Sequence, residues 1–322
     1  MTKVLGHKKV ETPLNKRPGF QLLGDAESRS PLKQRFHIPP FDVIDTRAGE
    51  WQSRKRIWKS LGIDSGDGRA DDLLFAKDMF KDSAKYGDQW ANRKLETTSI
   101  FDPVLCELCY TWFCPVGGRI LDPFAGGSVR GMVAAHMGLD YFGVDLSEKQ
   151  VTANIKQVKS VKNGIVPMWV VGNSLNLPKL VGGKFDMMFT CPPYHDLEKY
   201  SDDPADLSNV TYPVFVDMIR EIAVHVEALL KPSRFACVVI QDVRGENGNY
   251  RGMITDFIRA FRRAGMSFYN EAILVQPVGT ACLRAARQFK AGRKLVKTHG
   301  RLLVFLKGES PKLGKNEGLW TA

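Results

Sequence analysis

From about residue 96 onward, short apolar runs bounded by glycine or proline alternate with longer stretches whose apolar residues recur at helical spacing. That rhythm restricts the chain to a sheet covered by helices on both faces. A helix is predicted over residues 102–114, ended by Pro115 and the Gly117-Gly118 pair, then a buried strand over 119–124 and a helix over 128–137 stopped by Gly138. A strand over 141–146 leads into a helix that Ser147 caps, with Glu148 in its first turn. Strands follow over 166–171 and 185–190. A long helix over 212–230 carries Phe215, Met218, Ile219, Ile222, Val226 and Leu229 on one face. A strand over 235–243, a helix over 252–264 and strands over 267–275 and 301–306, separated by a basic loop, close the series. The fold class implied is α/β, a doubly wound, mostly parallel sheet whose last two strands form a hairpin, so that the terminal strand runs antiparallel.

Residues 1–95 read differently. They are polar and basic, punctuated by Pro13, Pro18, Pro31, Pro39 and Pro40, with a flexible arm over the first thirty or so and a basic, aromatic helix from Trp51 to Leu61. The expected organisation is an N-terminal extension over 1–95, one domain over 96–308 and a polar, disordered tail over 309–322. A formal net charge of +11 over 322 residues suits a phosphate-backbone partner. No apolar run reaches the length of a membrane span and Met1-Thr2-Lys3-Val4 opens no signal peptide, so a cytoplasmic protein without membrane contact is expected. The six cysteines follow no secreted disulfide framework. Cys106, Cys109 and Cys114 lie in an apolar helical run with no second CxxC or paired histidines nearby, so no metal is expected.

Two short strings carry the chemistry. The first, Asp122-Pro123-Phe124-Ala125-Gly126-Gly127, closes a strand and opens a helix. In open α/β sheets ligands bind beyond the carboxyl ends of strands, and glycines there remove Cβ atoms where backbone must pass close to a ligand. Neither a GxGxxG fingerprint nor a GKS/T phosphate loop is present, which disfavours NAD and ATP. Asp145 ends the next strand, where a carboxylate can accept from both hydroxyls of a ribose. Asn173, after the third strand, can bond an adenine edge. Together these describe a pocket for an unphosphorylated nucleoside.

The second string, Cys191-Pro192-Pro193-Tyr194, ends the strand over 185–190. Consecutive prolines fix the backbone and leave carbonyls free to accept from a donor such as the exocyclic amine of a base. Tyr194 can stack on that base, a contact worth roughly 1–3 kcal/mol.

The pair of strings resembles the amino-group DNA methyltransferases, which modify adenine N6 or cytosine N4 with S-adenosyl-L-methionine. Their cofactor motif is similar to residues 122–127 and their catalytic Asp/Asn/Ser-Pro-Pro-Tyr motif to residues 191–194. Thr98-Ser99-Ile100-Phe101-Asp102-Pro103 looks like the family segment that contacts the methionine end. The whole chain, including Ile38-Pro39-Pro40-Phe41 and the segment Arg293 to His299, resembles methylases encoded by bacterial viruses. The resemblance implies a seven-stranded sheet of the class I S-adenosylmethionine-dependent methyltransferase type and restriction–modification chemistry. It implies cofactor contacts from Ser99, Ile100, Phe101, Asp102, Asp122, Pro123, Phe124, Ala125, Gly126, Gly127, Asp145, Leu146, Asn173 and Ser174, and catalysis by Cys191, Pro192, Pro193 and Tyr194.

Cys191 departs from the motif. A thiol is a weak hydrogen-bond partner, which shifts activation of the amine toward the Pro192 carbonyl. It also opens a cysteine-dependent attack on a pyrimidine to modify C5, although that family places its cysteine after the proline. Target contacts are expected from residues 1–95, from the loop after Tyr194 (His195, Asp196 and Tyr200) and from the loop 277–300 with Arg284, Arg287, Lys290, Arg293, Lys294 and Lys297. DNA is the expected partner. An RNA methyltransferase with the same ledge and a catalytically silent nucleic-acid-binding protein remain open alternatives.

Overall fold

A computed structural model describes residues 36, 38–63, 100–158, 165–195, 206–279 and 281–311. The N-terminal arm, Ser99, Asp196, Tyr200 and most of the polar tail lie outside the described residues.

The elements, in chain order, are β1 (Val43–Asp45), α1 (Gly49–Ser60), α2 (Pro103–Phe113), β2 (Arg119–Asp122), α3 (Val129–His136), β3 (Asp140–Asp145) and α4 (Glu148–Gln157). Next come β4 (Met168–Val171), a 3-10 turn (Ser174–Asn176), α5 (Leu177–Leu180), β5 (Phe185–Thr190), α6 (Tyr212–Leu229) and β6 (Leu230–Ile240). The chain finishes with α7 (Met253–Arg263), β7 (Met266–Val275), α8 (Ala281–Gly292) and β8 (His299–Lys307). Each predicted strand and helix is present within a few residues of its expected bounds.

The strands form one sheet in the order β1-β7-β8-β6-β5-β2-β3-β4. Every pairing is parallel except those of β8 with β6 and with β7. The expected fold class, a doubly wound, mostly parallel sheet, therefore holds, but with eight strands in place of the expected seven. The extra strand is β1, which pairs in parallel with β7 through Val43↔Ile273 to Asp45↔Val275. Three residues carry no readable alternation; the pairing is decided by a partner about 230 residues away, where Thr46 Oγ1 donates to the Val275 carbonyl at 2.7 Å. The sequence also predicts a loop over 277–300, whereas residues Ala281–Gly292 form α8. Ala, Leu, Arg, Gln and Lys are strong helix formers, and in this segment their propensity prevails.

Central strands are buried on both faces, as a parallel sheet between helices requires. Along β8, Leu302, Val304 and Leu306 enter the core shared with α1, α2 and α3, while Leu303 and Phe305 enter the core beneath α6 and α7. Met187 and Phe189 of β5 take the first core, Phe185 and Met188 the second. Gly143 in β3 is required by packing: a Cβ there would lie 2.8 Å from the Ala125 Cβ and 2.9 Å from the Trp169 ring. Among the described residues no helix is long and apolar enough to cross a membrane.

Helix α1 is tied into the first core by a buried charge pair. Arg54 donates from two guanidinium nitrogens to the Glu107 carboxylate on α2, and Trp58 Nε1 donates to the same carboxylate at 2.7 Å. Both charged side chains are nearly inaccessible, at 9 % and 4 % exposure. Removing one partner of such a pair strands the other charge. Arg54→Met is expected to destabilise the fold by about 3–5 kcal/mol, read as a lower urea midpoint at an unchanged slope.

Candidate active site

The chain runs from β2 outward to β3 and β4, then returns to place β5 on the other side of β2. The crevice between β2 and β5 is thus the topological switch point, where ligands of open α/β sheets bind. Both strings open onto it. Asp122 ends β2 and Thr190 ends β5, and the strands are direct neighbours through Ile120↔Met187 and Leu121↔Met188.

Asp122 is fully buried and accepts four hydrogen bonds. Arg130 Nε donates at 2.5 Å, Tyr141 Oη at 2.7 Å, Thr190 Oγ1 at 2.7 Å and the Phe124 amide at 3.1 Å. One carboxylate therefore joins β2, α3, β3 and β5. Its lone pairs are taken up inside the protein, so it positions the turn. Arg130 extends the network: its second terminal nitrogen donates to the carbonyls of Phe124 and Ala125 at 2.6 and 2.8 Å, and its guanidinium lies 4.7 Å from the Phe101 ring centroid. Phe101 in turn meets Phe189 of β5 edge-on at 5.7 Å. Arg130 was not among the sequence candidates. The signal for it is a lone charge inside the apolar run Val129 to Ala135.

The turn itself is fixed from all sides. Gly126 adopts φ +50° with nothing closer to an added Cβ than an Arg130 nitrogen at 3.9 Å, so the glycine serves backbone conformation and openness together. Ala125 N donates to the Val144 carbonyl at 2.9 Å, Asn154 Nδ2 to the Gly126 carbonyl at 2.7 Å, and Ser174 Oγ to the Pro123 carbonyl. Ser174 is thereby placed under the turn.

Asp145, at the end of β3, accepts from Gly126 N at 2.7 Å through one carboxylate oxygen and from Ser147 N at 2.9 Å through the other. Burial raises its pKa above the ordinary 3.8, and the two backbone donors work against that rise. Asn173, past the end of β4, accepts from Leu175 N at 2.9 Å and caps the 3-10 turn, which leaves its amide hydrogens for other partners. Pro123, Phe124, Ala125, Gly126, Gly127, Asp145, Leu146 and Asn173 thus come together at the carboxyl ends of β2, β3 and β4. Ile100 and Phe101 precede α2 on the same side, with Ile100 39 % exposed. Asp102 faces α1 instead: it accepts from Val104 N at 3.0 Å as helix cap, and from Trp51 Nε1 at 3.0 Å and Lys55 Nζ at 2.9 Å.

Cys191, Pro193 and Tyr194 are half-buried at the mouth of the crevice, with Pro192 buried behind them. The Cys191 sulfur lies 4.0 Å from Tyr194 Oη. His195 ends the ledge in the left-handed region at φ +55°, a strained conformation for a non-glycine residue. Its ring is 4 % exposed, is 2.7 Å from the Val210 carbonyl through Nε2, and meets Tyr212 and Phe215 edge-on. The structure places His195 as an anchor beneath the ledge.

Because β7 is parallel to β1 and antiparallel to β8, which is antiparallel to β6, the segment between β7 and β8 emerges on the same end of the sheet as the two strings. It holds six Lys and Arg residues and no Asp or Glu between Pro277 and Gly300. Arg287, Lys290 and Arg293 are exposed and Arg284 is half-buried. Arg293 packs over the Phe289 ring at 5.1 Å. Lys297 turns inward, donating to the Asp242 carbonyl at 3.1 Å, and its burial lowers its pKa.

No protein-family model and no curated protein matches the sequence. Among solved structures the chain is similar to TrmN from Thermus thermophilus, at 16% identity and TM-score 0.43, over 64% of this chain and 49% of that one. It is similar also to a methyltransferase from Pyrococcus furiosus, at 14% identity and TM-score 0.44, over 65% and 84% of the two chains. A third is the magnesium protoporphyrin IX methyltransferase ChlM from Synechocystis PCC 6803 with bound SAM, at 13% identity and TM-score 0.38, over 64% and 74%. The chain spans about half the length of TrmN.

Arg130→Met is expected to leave the Asp122 carboxylate buried without its counter-charge, at a cost of about 3–5 kcal/mol. Denaturant unfolding measures the loss. Arg47→Met, which removes an exposed pair with Asp45, serves as the comparison and is expected to cost under about 1 kcal/mol.

Proposed function

We propose that the protein is an S-adenosylmethionine-dependent methyltransferase that alkylates an exocyclic amine, cytosine N4 or adenine N6, of a base extruded from DNA. The observation that carries this reading is the convergence of the glycine turn, Asp145 and the Pro-Pro-Tyr ledge on one switch-point crevice, tied together by the Asp122 carboxylate. A nucleoside cofactor and a flat base are the two ligands these surfaces fit.

The residues present suit the cofactor. Each Asp145 oxygen has one backbone donor, and a carboxylate offers about four lone-pair sites in all, so capacity remains for two ribose hydroxyls. Asn173 offers amide hydrogens to the acceptors of an adenine edge, and the Gly126-Gly127 backbone lets the ligand approach. When bound, S-adenosylmethionine would supply the methyl group as a sulfonium electrophile. The task left to the protein is to hold the amine. Tyr194 stacks on the base, and the Pro192 carbonyl with the Cys191 thiol accepts the amine hydrogens, which localises the nitrogen lone pair. A base within a duplex cannot reach this depth unless it is flipped out. The basic segment between β7 and β8, on the same end of the sheet, supports a polyanionic substrate through charge and placement.

Two measurements test this. Asp145→Ala is expected to weaken S-adenosylmethionine binding at least tenfold by calorimetry. Because burial raises the Asp145 pKa, wild-type affinity should begin to fall at a higher pH than an ordinary carboxylate would give, as protonation removes the acceptor; Asp145→Asn should lack that dependence. The result that removes Asp145 from the site is an unchanged affinity in the alanine variant.

The second concerns Cys191. Serine supplies an acceptor of similar size, so Cys191→Ser is expected to keep activity. Tyr194→Ala should lose roughly 1–3 kcal/mol of stacking, about five- to 160-fold in rate. Loss of activity in Cys191→Ser, together with covalent trapping of the wild type on 5-fluorocytosine DNA, would replace amine transfer by a cysteine nucleophile mechanism.

A further inference from the structure

A second projection stands on the active end, beside the ledge. Strand β6 lies next to β5, with Val238 opposite Thr190, and beyond its carboxyl end the chain forms a tight hairpin over 243–251. Arg244 bridges Tyr250 in antiparallel fashion. Gly245 N donates to the Asn249 carbonyl at 2.9 Å, Gly248 N to the Gly245 carbonyl at 2.8 Å, and Arg251 N to the Val243 carbonyl at 2.9 Å. Asn249 N donates to Asn247 Oδ1 at 3.0 Å, and the Arg244 guanidinium donates to the Gly248 carbonyl at 2.8 Å while lying 4.0 Å from the Tyr250 ring centroid. These bonds are internal to the hairpin, so a ligand that binds its tip costs little conformational freedom.

The hairpin is joined to both halves of the proposed substrate site. Lys297, from the basic segment, bonds the Asp242 carbonyl and places its ammonium 4.8 Å from the Tyr250 ring. On the other side the Arg251 guanidinium lies 5.3 Å from the Tyr212 ring, and Tyr212 meets His195, the residue after Tyr194, at 5.5 Å. Contacts therefore run from the hairpin to the ledge without a gap.

The chemistry shown to solvent separates this projection from the basic segment. Glu246, Asn247, Asn249 and Tyr250 are exposed around a concavity of about 480 Å³. A carboxylate at the tip repels phosphate. Carboxylate and amides do match base edges: asparagine bonds adenine through N6 and N7, and glutamate accepts from cytosine N4. The cations Arg244, Lys294 and Lys297 are set back and half-buried, where flanking phosphates would pass.

We infer that hairpin 243–251 is the element that reads DNA sequence, entering a groove next to the extruded base and contacting base edges through Glu246, Asn247 and Asn249. The assignment rests on the methyl-transfer reading for its orientation toward DNA, and it adds the residues that set specificity. The test offers the full-length protein a randomised duplex library, sequences the bound fraction, and assays methyl transfer separately on plasmid DNA. Glu246→Ala/Asn249→Ala removes two reading groups and spares the Asn247 side chain that holds the turn. The wild type is expected to enrich a defined motif. The double variant should lose at least tenfold of that preference at one or more base positions, with bulk duplex affinity and the slope of log affinity against log salt held within twofold. Arg287→Ala/Lys290→Ala should do the reverse, weakening binding on all sequences and flattening the salt slope while the motif stays. An unchanged motif in the Glu246/Asn249 variant, a wild type without sequence preference, or no duplex binding overturns the hairpin assignment. Sequence-selective binding lost in that variant, with no methyl transfer by the cofactor-bound wild type, supports the hairpin and overturns the catalytic reading instead.

Discussion

The buried Asp122 carboxylate is the interaction on which the rest of the site depends. An isolated carboxylate in a protein interior is costly, and this one is tolerated because Arg130 neutralises it while Tyr141, Thr190 and the Phe124 amide occupy its remaining capacity. Those partners belong to α3, β3, β5 and the turn itself. Their spacing is therefore set by one atom group, which fixes the shape of the crevice between β2 and β5. Arg130 carries the constraint outward to the Phe124 and Ala125 carbonyls and to Phe101. The turn, the segment before α2 and the strand leading to Cys191 are held as a unit.

Around that fixed centre the active end is divided by charge. The segment between β7 and β8 is cationic throughout, whereas hairpin 243–251 offers amides and a carboxylate and keeps its cations behind them. Phosphate attraction is long-ranged and indifferent to sequence, while base-edge contacts are short-ranged and selective. On the proposed reading as a DNA methyltransferase, separate surfaces let each of the two tasks keep its own rigid geometry. Lys297 links them: it gives up part of its hydration to bond the Asp242 carbonyl, which is why its pKa falls.

Local chemistry made much of this legible. The alternation of strand and helix from residue 96, the glycine turn after β2 and the proline ledge after β5 all follow from backbone preferences that short windows encode. Asp145 and Asn173 could be placed at strand ends because a parallel sheet puts every carboxyl end on one side. The helical nature of Ala281–Gly292 was available too, in its Ala, Leu, Arg and Gln content, although its cationic residues read equally well as a loop.

What the sequence determined by itself was thus the order of the elements other than β1 and α8, and the residue types that the two strings place at strand ends. The tertiary structure alone decided which way side chains turn. Asp122 and Asp145 both end strands, yet the first points into the core toward a guanidinium eight residues on, and the second stays at the rim of the crevice. His195 follows an exposed ledge yet is buried by residues of α6 and the loop before it. Strand β1 exists because Val275 lies beside Thr46. These outcomes depend on partners distant in the chain, whose proximity no local window contains, and on the cost of leaving a buried polar group unpaired, which is settled only when the whole sheet has closed around it.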